Sequence, residues 1–267
     1  MSMLTGRHAF ITGSTQGIGL EIAIALRDAG ASVILHGTRH HEAAAQASER
    51  CQSAAGPASV VAGDLAEPMP EAPLKLAEEA LRLNPEIDTL VCNAGTFIDE
   101  PFLEMNFATF DRTLKLNVYS QYVLIQHFAR RWVERGIQGR ILLVGSINGK
   151  LAEQTHVAYD TSKGAVDAMV RSLCVSLAPY NIRVNGVAPG LLWTRLTEPA
   201  LKNENFRRWM ELHTPNGKVP GADACSGAAV FLLSDGAEHI HGQMLYVDGG
   251  MSSWQQPDPP AEWMQNS

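Results

Sequence analysis

The chain has 267 residues, 45% hydrophobic and 18% charged, a balance that fits a packed globular protein and excludes a disordered one. Its net charge is −7, from 21 basic against 28 acidic residues, and no Lys/Arg cluster breaks the acidic balance, so partners among nucleic acids or anionic membranes are not expected. No apolar run reaches spanning length, Met1 to Phe10 lack the apolar core of a signal peptide, and the four cysteines (Cys51, Cys92, Cys174, Cys225) form no Cys-x-x-Cys pair. Reduced thiols and a cytoplasmic location are therefore expected. His40-His41 and the pair His239 and His241 have no cysteine or carboxylate at ligand spacing, so no metal is expected.

Strand-like and helix-like segments alternate along the chain. His8 to Thr12 is a short β-rich run, followed by a glycine-rich turn and a helix on which Ile18, Ile22, Leu26 and Ala29 recur until Gly30. Ser32 to Gly37 reads as strand two, and an alanine-rich helix follows from about His41 to Ala55. A third strand lies in "ASVVAGD", a third helix over Leu74 to Leu83, and a fourth strand in Ile87 to Gly95. One long helix is expected from Phe107 to Arg135, then strand five over Gly139 to Ser146, a helix from Tyr159 to Pro179, and strand six in "IRVNGVAPG". A polar stretch from Leu191 to Pro220 holds a short helix; Ala222 to Ser234 is another helix and "QMLYVDGG" the last strand. Parallel neighbours require crossovers, so the pattern predicts one Rossmann-type, doubly wound α/β domain: a parallel sheet of about seven strands with helices on both faces. Residues 1–250 form that domain and 251–267 a Pro-rich tail.

"TGSTQGIG" (Thr12 to Gly19) falls where strand one meets the first helix. Gly13, Gly17 and Gly19 permit a tight turn, close approach of a phosphate and close helix–strand packing, while the helix N-terminus offers free N–H groups to a pyrophosphate. No Gly-Lys-Ser/Thr follows, which disfavours a P-loop. The spacing resembles the short-chain dehydrogenase/reductase (SDR) family, and further matches follow in that family's order. These are Asn93-Ala94-Gly95, Asn117, Ser146, Tyr159 with Lys163, Pro189-Gly190 with Thr194, and the closing Val247 to Gly250. The resemblance spans Thr5 to Gly250; Cys92, where many members carry asparagine, is a departure expected to alter packing more than chemistry.

Tyr159 and Lys163 stand one helical turn apart, so both side chains leave the same face. Moving a hydroxyl proton during hydride transfer needs a base, and a phenol with a reference pKa of about 10 needs help from a nearby ammonium. Tyr159 is thus the candidate acid/base and Lys163 its helper. Ser146, just past strand five, is placed to hydrogen-bond the substrate oxygen. The resemblance implies that Asn117 holds a water linking Lys163 to solvent. It also implies cofactor contacts from Thr15, Gln16 and Ile18 in the glycine turn, from Asn93 to Gly95, Asp64 and Leu65, and from Pro189, Gly190, Leu192 and Thr194.

The end of strand two separates the two nicotinamide dinucleotides. NAD-specific relatives usually carry aspartate where this chain has Gly37, and Thr38 and Arg39 offer a hydroxyl and a guanidinium suited to a 2′-phosphate. These favour NADP as the expected cofactor; Gln16, where many NADP users place a basic residue, and Arg39, one position later than the commonest arginine, count against it and keep NAD as the alternative.

Residues 191–220 resemble the variable substrate lid of the family, which implies that Leu191, Trp193 and Leu196 close over an apolar part of a substrate. Asn148, Glu153, Gln154 and His156, between Ser146 and Tyr159, are expected to offer it polar contacts. A small sugar, polyol or sugar acid is the expected substrate, with a secondary alcohol and a ketone interconverted. A 3-oxoacyl thioester reductase is the near alternative, and a non-catalytic nucleotide-binding regulator the alternative of another class. Extra apolar positions on the Thr161 to Tyr180 helix, with the resemblance, imply a homotetramer. Trp254 and Trp263 predict a tail that docks on a neighbouring subunit or near the lid.

Overall fold

The structure, a computed structural model, describes residues 3–53 and 56–256; Trp263 lies outside them. Seven strands form one sheet in the order β3-β2-β1-β4-β5-β6-β7, every pair parallel. They are β1 (His8–Ile11), β2 (Ser32–Gly37), β3 (Ser59–Ala62), β4 (Thr89–Cys92), β5 (Arg140–Val144), β6 (Arg183–Pro189) and β7 (Met244–Val247). The strand order reverses between β1 and β4, which opens the ligand crevice of a doubly wound sheet at the carboxyl ends of those strands.

Two apolar layers cover the sheet. On one face α3 (Glu71–Leu83), α5 (Ser120–Arg135) and α6 (Val157–Leu177) bury Leu76, Phe128, Trp132, Val166 and Val170 against Phe10, Leu90 and Ile141. On the other, α1 (Gly17–Asp28) and α9 (Ser226–Leu233) bury Ile22, Leu26 and Leu232 against Ile11, Leu35 and Val187. At the edge of the sheet away from the crevice, Arg183 donates to the carbonyls of Leu232, Ser234 and Ala237 at 2.7–3.0 Å, and Arg140 donates to Leu233. Two buried guanidinium groups thus satisfy Leu232 O and Leu233 O at the end of α9 and add a second donor to Ser234 O and Ala237 O in the turn that follows. Among the described residues, no helix is long and apolar enough to cross a membrane.

Several boundaries differ from the sequence reading. Helix α2 (Glu42–Arg50) stops before the expected Ala55, because Cys51 caps it and Ser53 pairs with Gly56 instead. Helix α3 begins at Glu71, a turn earlier than Leu74. The expected long helix is α4 (Phe107–Leu114) and α5 joined by a π-helical turn, Lys115–Tyr119, centred on Asn117. Between β6 and α9 the chain forms two short helices rather than one, α7 (Glu198–Leu201) and α8 (Glu204–Leu212). The two ends of this excursion meet: Trp193 bridges to Gly221, with its N–H donating to Pro220 O at 2.8 Å.

Candidate active site

The glycine turn closes between β1 and α1 under tight steric limits. A Cβ on Gly13 would lie 2.8 Å from Ala94 Cα, and one on Gly19 would lie 2.4 Å from Asn93 Nδ2 and 2.5 Å from Gly13 O. Asn93 fixes that approach by donating from Nδ2 to Thr12 O and Gly13 O at 3.0 and 2.9 Å. Gly17 has φ +58 and a Cβ there would meet nothing within 4 Å, so the turn presents an open, side-chain-free face at the start of α1. Gln16, at the N-cap, makes no capping bond, and the first N–H groups of the helix remain free. This cradle fits a dinucleotide pyrophosphate. Ile18 is partly buried against the apolar layer, while Leu65 and Leu192 are buried and offer a cofactor mainly their backbone.

His36 in β2 is a brace that the sequence reading did not single out. Gly13 N–H donates to its Nδ1 at 3.0 Å, and its Nε2 lies 3.1 Å from Gly63 O. An N–H can only donate and a carbonyl only accept, so the ring is the neutral Nε2–H tautomer. Burial pushes its pKa down to about 4, against smaller upward pulls from the Gly63 bond and Asp64. Beyond it, Thr38 and Arg39 are exposed at the end of β2, with no carboxylate at Gly37. A Cβ on Gly37 would meet Thr15 Cγ2 at 2.8 Å. Asp64 accepts from Arg112 Nη2 at 2.8 Å and from Ala66 N–H at 2.9 Å, a pairing with α4 invisible in sequence.

At the carboxyl ends of β4 and β5 the four candidate catalytic residues converge. Lys163, buried on α6, donates from Nζ to Val144 O at 2.9 Å and sits 5.5 Å from the centroid of the Tyr159 ring. Its isolation from water pushes its pKa down to about 8. The Tyr159 phenol moves opposite to the expected direction: burial pushes it up, the Ser146 hydrogen bond pulls it back, and the Asp160 and Glu153 charges add to the rise. Asn117 is fully buried in the π turn; its Oδ1 accepts from Thr96 N–H at 2.8 Å and its Nδ2 donates to Thr96 O and Ser162 Oγ at 2.9 and 3.0 Å. Ser162 in turn donates to Tyr159 O at 2.7 Å, so Asn117 tethers the turn that carries the tyrosine. With its amide engaged, Asn117 has only its main chain for the water the resemblance implies.

The candidate substrate residues divide. His156 is buried beside Tyr159 and edge-on to Phe97, with ring centroids 4.6 Å apart; Phe97 is likewise edge-on to Tyr159 at 5.3 Å. Asn148 is not free to bind substrate with its amide, which bonds Ser146, Glu153 and Asp160. Gln154 and Trp193 are exposed at the rim. Pro189 and Gly190 end β6 tightly, since a Cβ on Gly190 would lie 2.9 Å from Asp248 Cα, while Thr194 bonds Thr197. Arg195, also missed in the sequence, donates to Gln16 Oε1 at 3.3 Å and joins the segment after β6 to the glycine turn.

The family described as enoyl-(acyl carrier protein) reductase matches residues 13–252. L-rhamnose 1-dehydrogenase (NADP(+)) of Thermoplasma acidophilum is 32% identical over 92% of this chain and 96% of its own. The 3-oxoacyl-[acyl-carrier-protein] reductase of Aquifex aeolicus is 34% identical over 93% and 98%. Among solved structures, a gluconate 5-dehydrogenase from Burkholderia cenocepacia, in complex with NADP and tartrate, superposes with a TM-score of 0.87. It is 33% identical, covering 94% of this chain and 97% of that one. With the glycine turn, the Asn117, Ser146, Tyr159 and Lys163 set and the seven-stranded sheet, these likenesses make the chain a member of the short-chain dehydrogenase/reductase family.

Proposed function

We propose that the protein is an NADP-dependent dehydrogenase that interconverts a secondary alcohol and a carbonyl in a small sugar or polyol. The convergence of Ser146, Tyr159 and Lys163 beside the glycine cradle carries the reading. When bound, the nicotinamide supplies or takes up the hydride. Tyr159 Oη moves the hydroxyl proton, Ser146 Oγ holds the reacting oxygen, and Lys163 places a positive charge beneath the phenol ring. Thr38 and Arg39 accept the 2′-phosphate, and their charge complementarity supports NADP over NAD.

The substrate side is acidic. His156 lies 3.3 Å from Glu153 and 4.0 Å from Asp99, Asp160 follows Tyr159 directly, and Glu100 bonds Thr155 O through its N–H. Lys150, the nearest cation in sequence, turns to Ser252 O at 3.2 Å. Carboxylates accept bonds from sugar hydroxyls and repel another carboxylate, which favours a neutral sugar over a sugar acid. A 3-oxoacyl thioester is the second reading, supported by the relative from Aquifex aeolicus and opposed by a net charge of −7 against an acidic carrier.

Residues 191–220 act as the substrate lid of a single domain. The assembly is a homotetramer, supported by exposed Tyr119 and Tyr122 beside and on α5 and Val175 on α6, and the location is cytoplasmic, supported by four free cysteines. Reduced-nicotinamide absorbance, followed with oxidised NADP or NAD against L-rhamnose, D-glucose and gluconate and with NADPH or NADH against a 3-oxoacyl thioester, tests the whole reading. Turnover of neutral sugars with NADP is expected; turnover confined to the thioester would overturn it.

A further inference from the structure

Ser146 sits in a hydrogen-bonded frame that reaches across to the helix carrying Tyr159. Asn148 N–H donates to Ser146 Oγ at 3.1 Å, and Ser146 Oγ lies 3.3 Å from Asn148 Oδ1. The other end of the same amide, Nδ2, donates to Asp160 Oδ1 at 2.8 Å and to Glu153 Oε1 at 3.3 Å. The second oxygen of Asp160 accepts from Glu153 N–H at 3.0 Å. Asn148 and the Asp160 carboxylate are thus held by bonds within the chain.

The direction of the amide follows from chemistry. An ionised carboxylate only accepts, so two of them facing one end of Asn148 force its NH2 group to that end. The Oδ1 then has to face Ser146. Asp160 is the group that decides the matter, because it is the nearer acceptor and belongs to α6 itself, one residue from Tyr159. The serine hydroxyl is therefore oriented by the same helix that carries the phenol it must work with.

We propose that Asp160 and Asn148 are positioning residues for the hydride-transfer reaction, Asp160 fixing the Asn148 amide and Asn148 fixing the Ser146 hydroxyl. Neither touches the reacting atoms. The inference rests on the SDR reaction and not on the choice of sugar. A misplaced hydroxyl in a near-attack arrangement lowers turnover by about 10- to 100-fold, while cofactor affinity, set at the glycine turn, is left alone.

The test is a double-mutant cycle of Asn148→Ala and Asp160→Ala, with Asp160→Asn as the conservative partner. Turnover is measured with NADP and L-rhamnose, NADP affinity by protein fluorescence, and the Ser146 and Asn148 conformations by crystallography of each variant. Each alanine variant is expected to lose about 10- to 100-fold in kcat with NADP affinity unchanged, and the double variant to lose no more than Asn148→Ala alone. Asp160→Asn retains one accepting oxygen and is expected to recover most of the loss of Asp160→Ala. Additive losses, or an unmoved Ser146 and Asn148 amide in the Asp160→Ala crystals, would overturn the proposal. Should Asp160→Ala fail to fold, Asp160→Leu, which likewise has no accepting oxygen, takes its place in the cycle. If the wild-type protein leaves L-rhamnose untouched, the sugar reading fails while the crystal structures still decide this one.

Discussion

Acidification places a proton on His36 in the one position the fold cannot accept it. Nδ1 receives the Gly13 N–H, so a proton added there faces another donor, and the glycine turn loses one of its ties to β2, keeping the two between Ser14 and the His36 main chain. The folded pKa is about 4 against an ordinary 6.5, because the ring is buried away from water. The unfolded chain therefore binds a proton first as pH falls. Stability linked to this group is fully present above pH 6.5 and is lost as pH falls through 4, where it levels off. At about 1.4 kcal/mol per pH unit, the drop between those limits amounts to about 3 kcal/mol. His36→Asn retains an acceptor for Gly13 and does not titrate. Equilibrium urea denaturation of both proteins at pH 8, 6.5, 5 and 4, at one protein concentration, isolates the difference. The wild-type protein is expected to lose about 3 kcal/mol more than the variant over that range. Parallel pH profiles would refute the reasoning.

Other perturbations follow from the site. Tyr159→Phe is expected to lower kcat by about 10²- to 10⁴-fold with NADP affinity retained, read by absorbance and by fluorescence titration. Arg39→Ala should weaken NADP by about 10- to 100-fold and leave NAD nearly unchanged, the signature of a lost charge-assisted phosphate contact; equal losses for both would remove Arg39 from the phosphate site. Gly19→Ala drives a methyl into Asn93 Nδ2 at 2.4 Å and Gly13 O at 2.5 Å, so it should cost about 1–3 kcal/mol in thermal or chemical unfolding and abolish tight cofactor binding. Arg183→Ala removes the guanidinium donor from Leu232 O, while Ser234 O and Ala237 O keep the N–H groups of Ala237 and Ile240, and it is expected to cost about 1–3 kcal/mol, measured by denaturation.

The fold was legible because its signals are local. The glycines of the turn, the alternation of apolar strands with helical periodicity, and the one-turn spacing of Tyr159 and Lys163 each declare themselves within a few residues. Contacts between strands and helices do not. His36 reads as an ordinary strand residue until β2 is registered against Gly13 on one side and Gly63 on the other. Asp160 reads as a first-turn acidic residue of α6, and only the return of the loop carrying Asn148 reveals what it holds. The π turn at Asn117 escapes a 3.6-residue periodicity because one additional residue shifts the phase without changing the composition. The rise in the Tyr159 pKa was missed for a different reason. Charge proximity can be counted along a helix, whereas burial depends also on Phe97, which arrives from the loop after β4.

The bridge between Trp193 and Gly221 closes a neck on the segment proposed as the lid. Between those residues the chain leaves the sheet and is tied back through Asn216 N–H to Gly249 O and through Arg195 to Gln16, so a change of length between those ties falls outside β6 and α9. Doubling such a loop adds only about 0.6 kcal/mol of closure entropy. One catalytic base can therefore exchange lids of different size and chemistry at small thermodynamic penalty, and a lid transplanted at that neck is the natural unit for changing what the enzyme recognises.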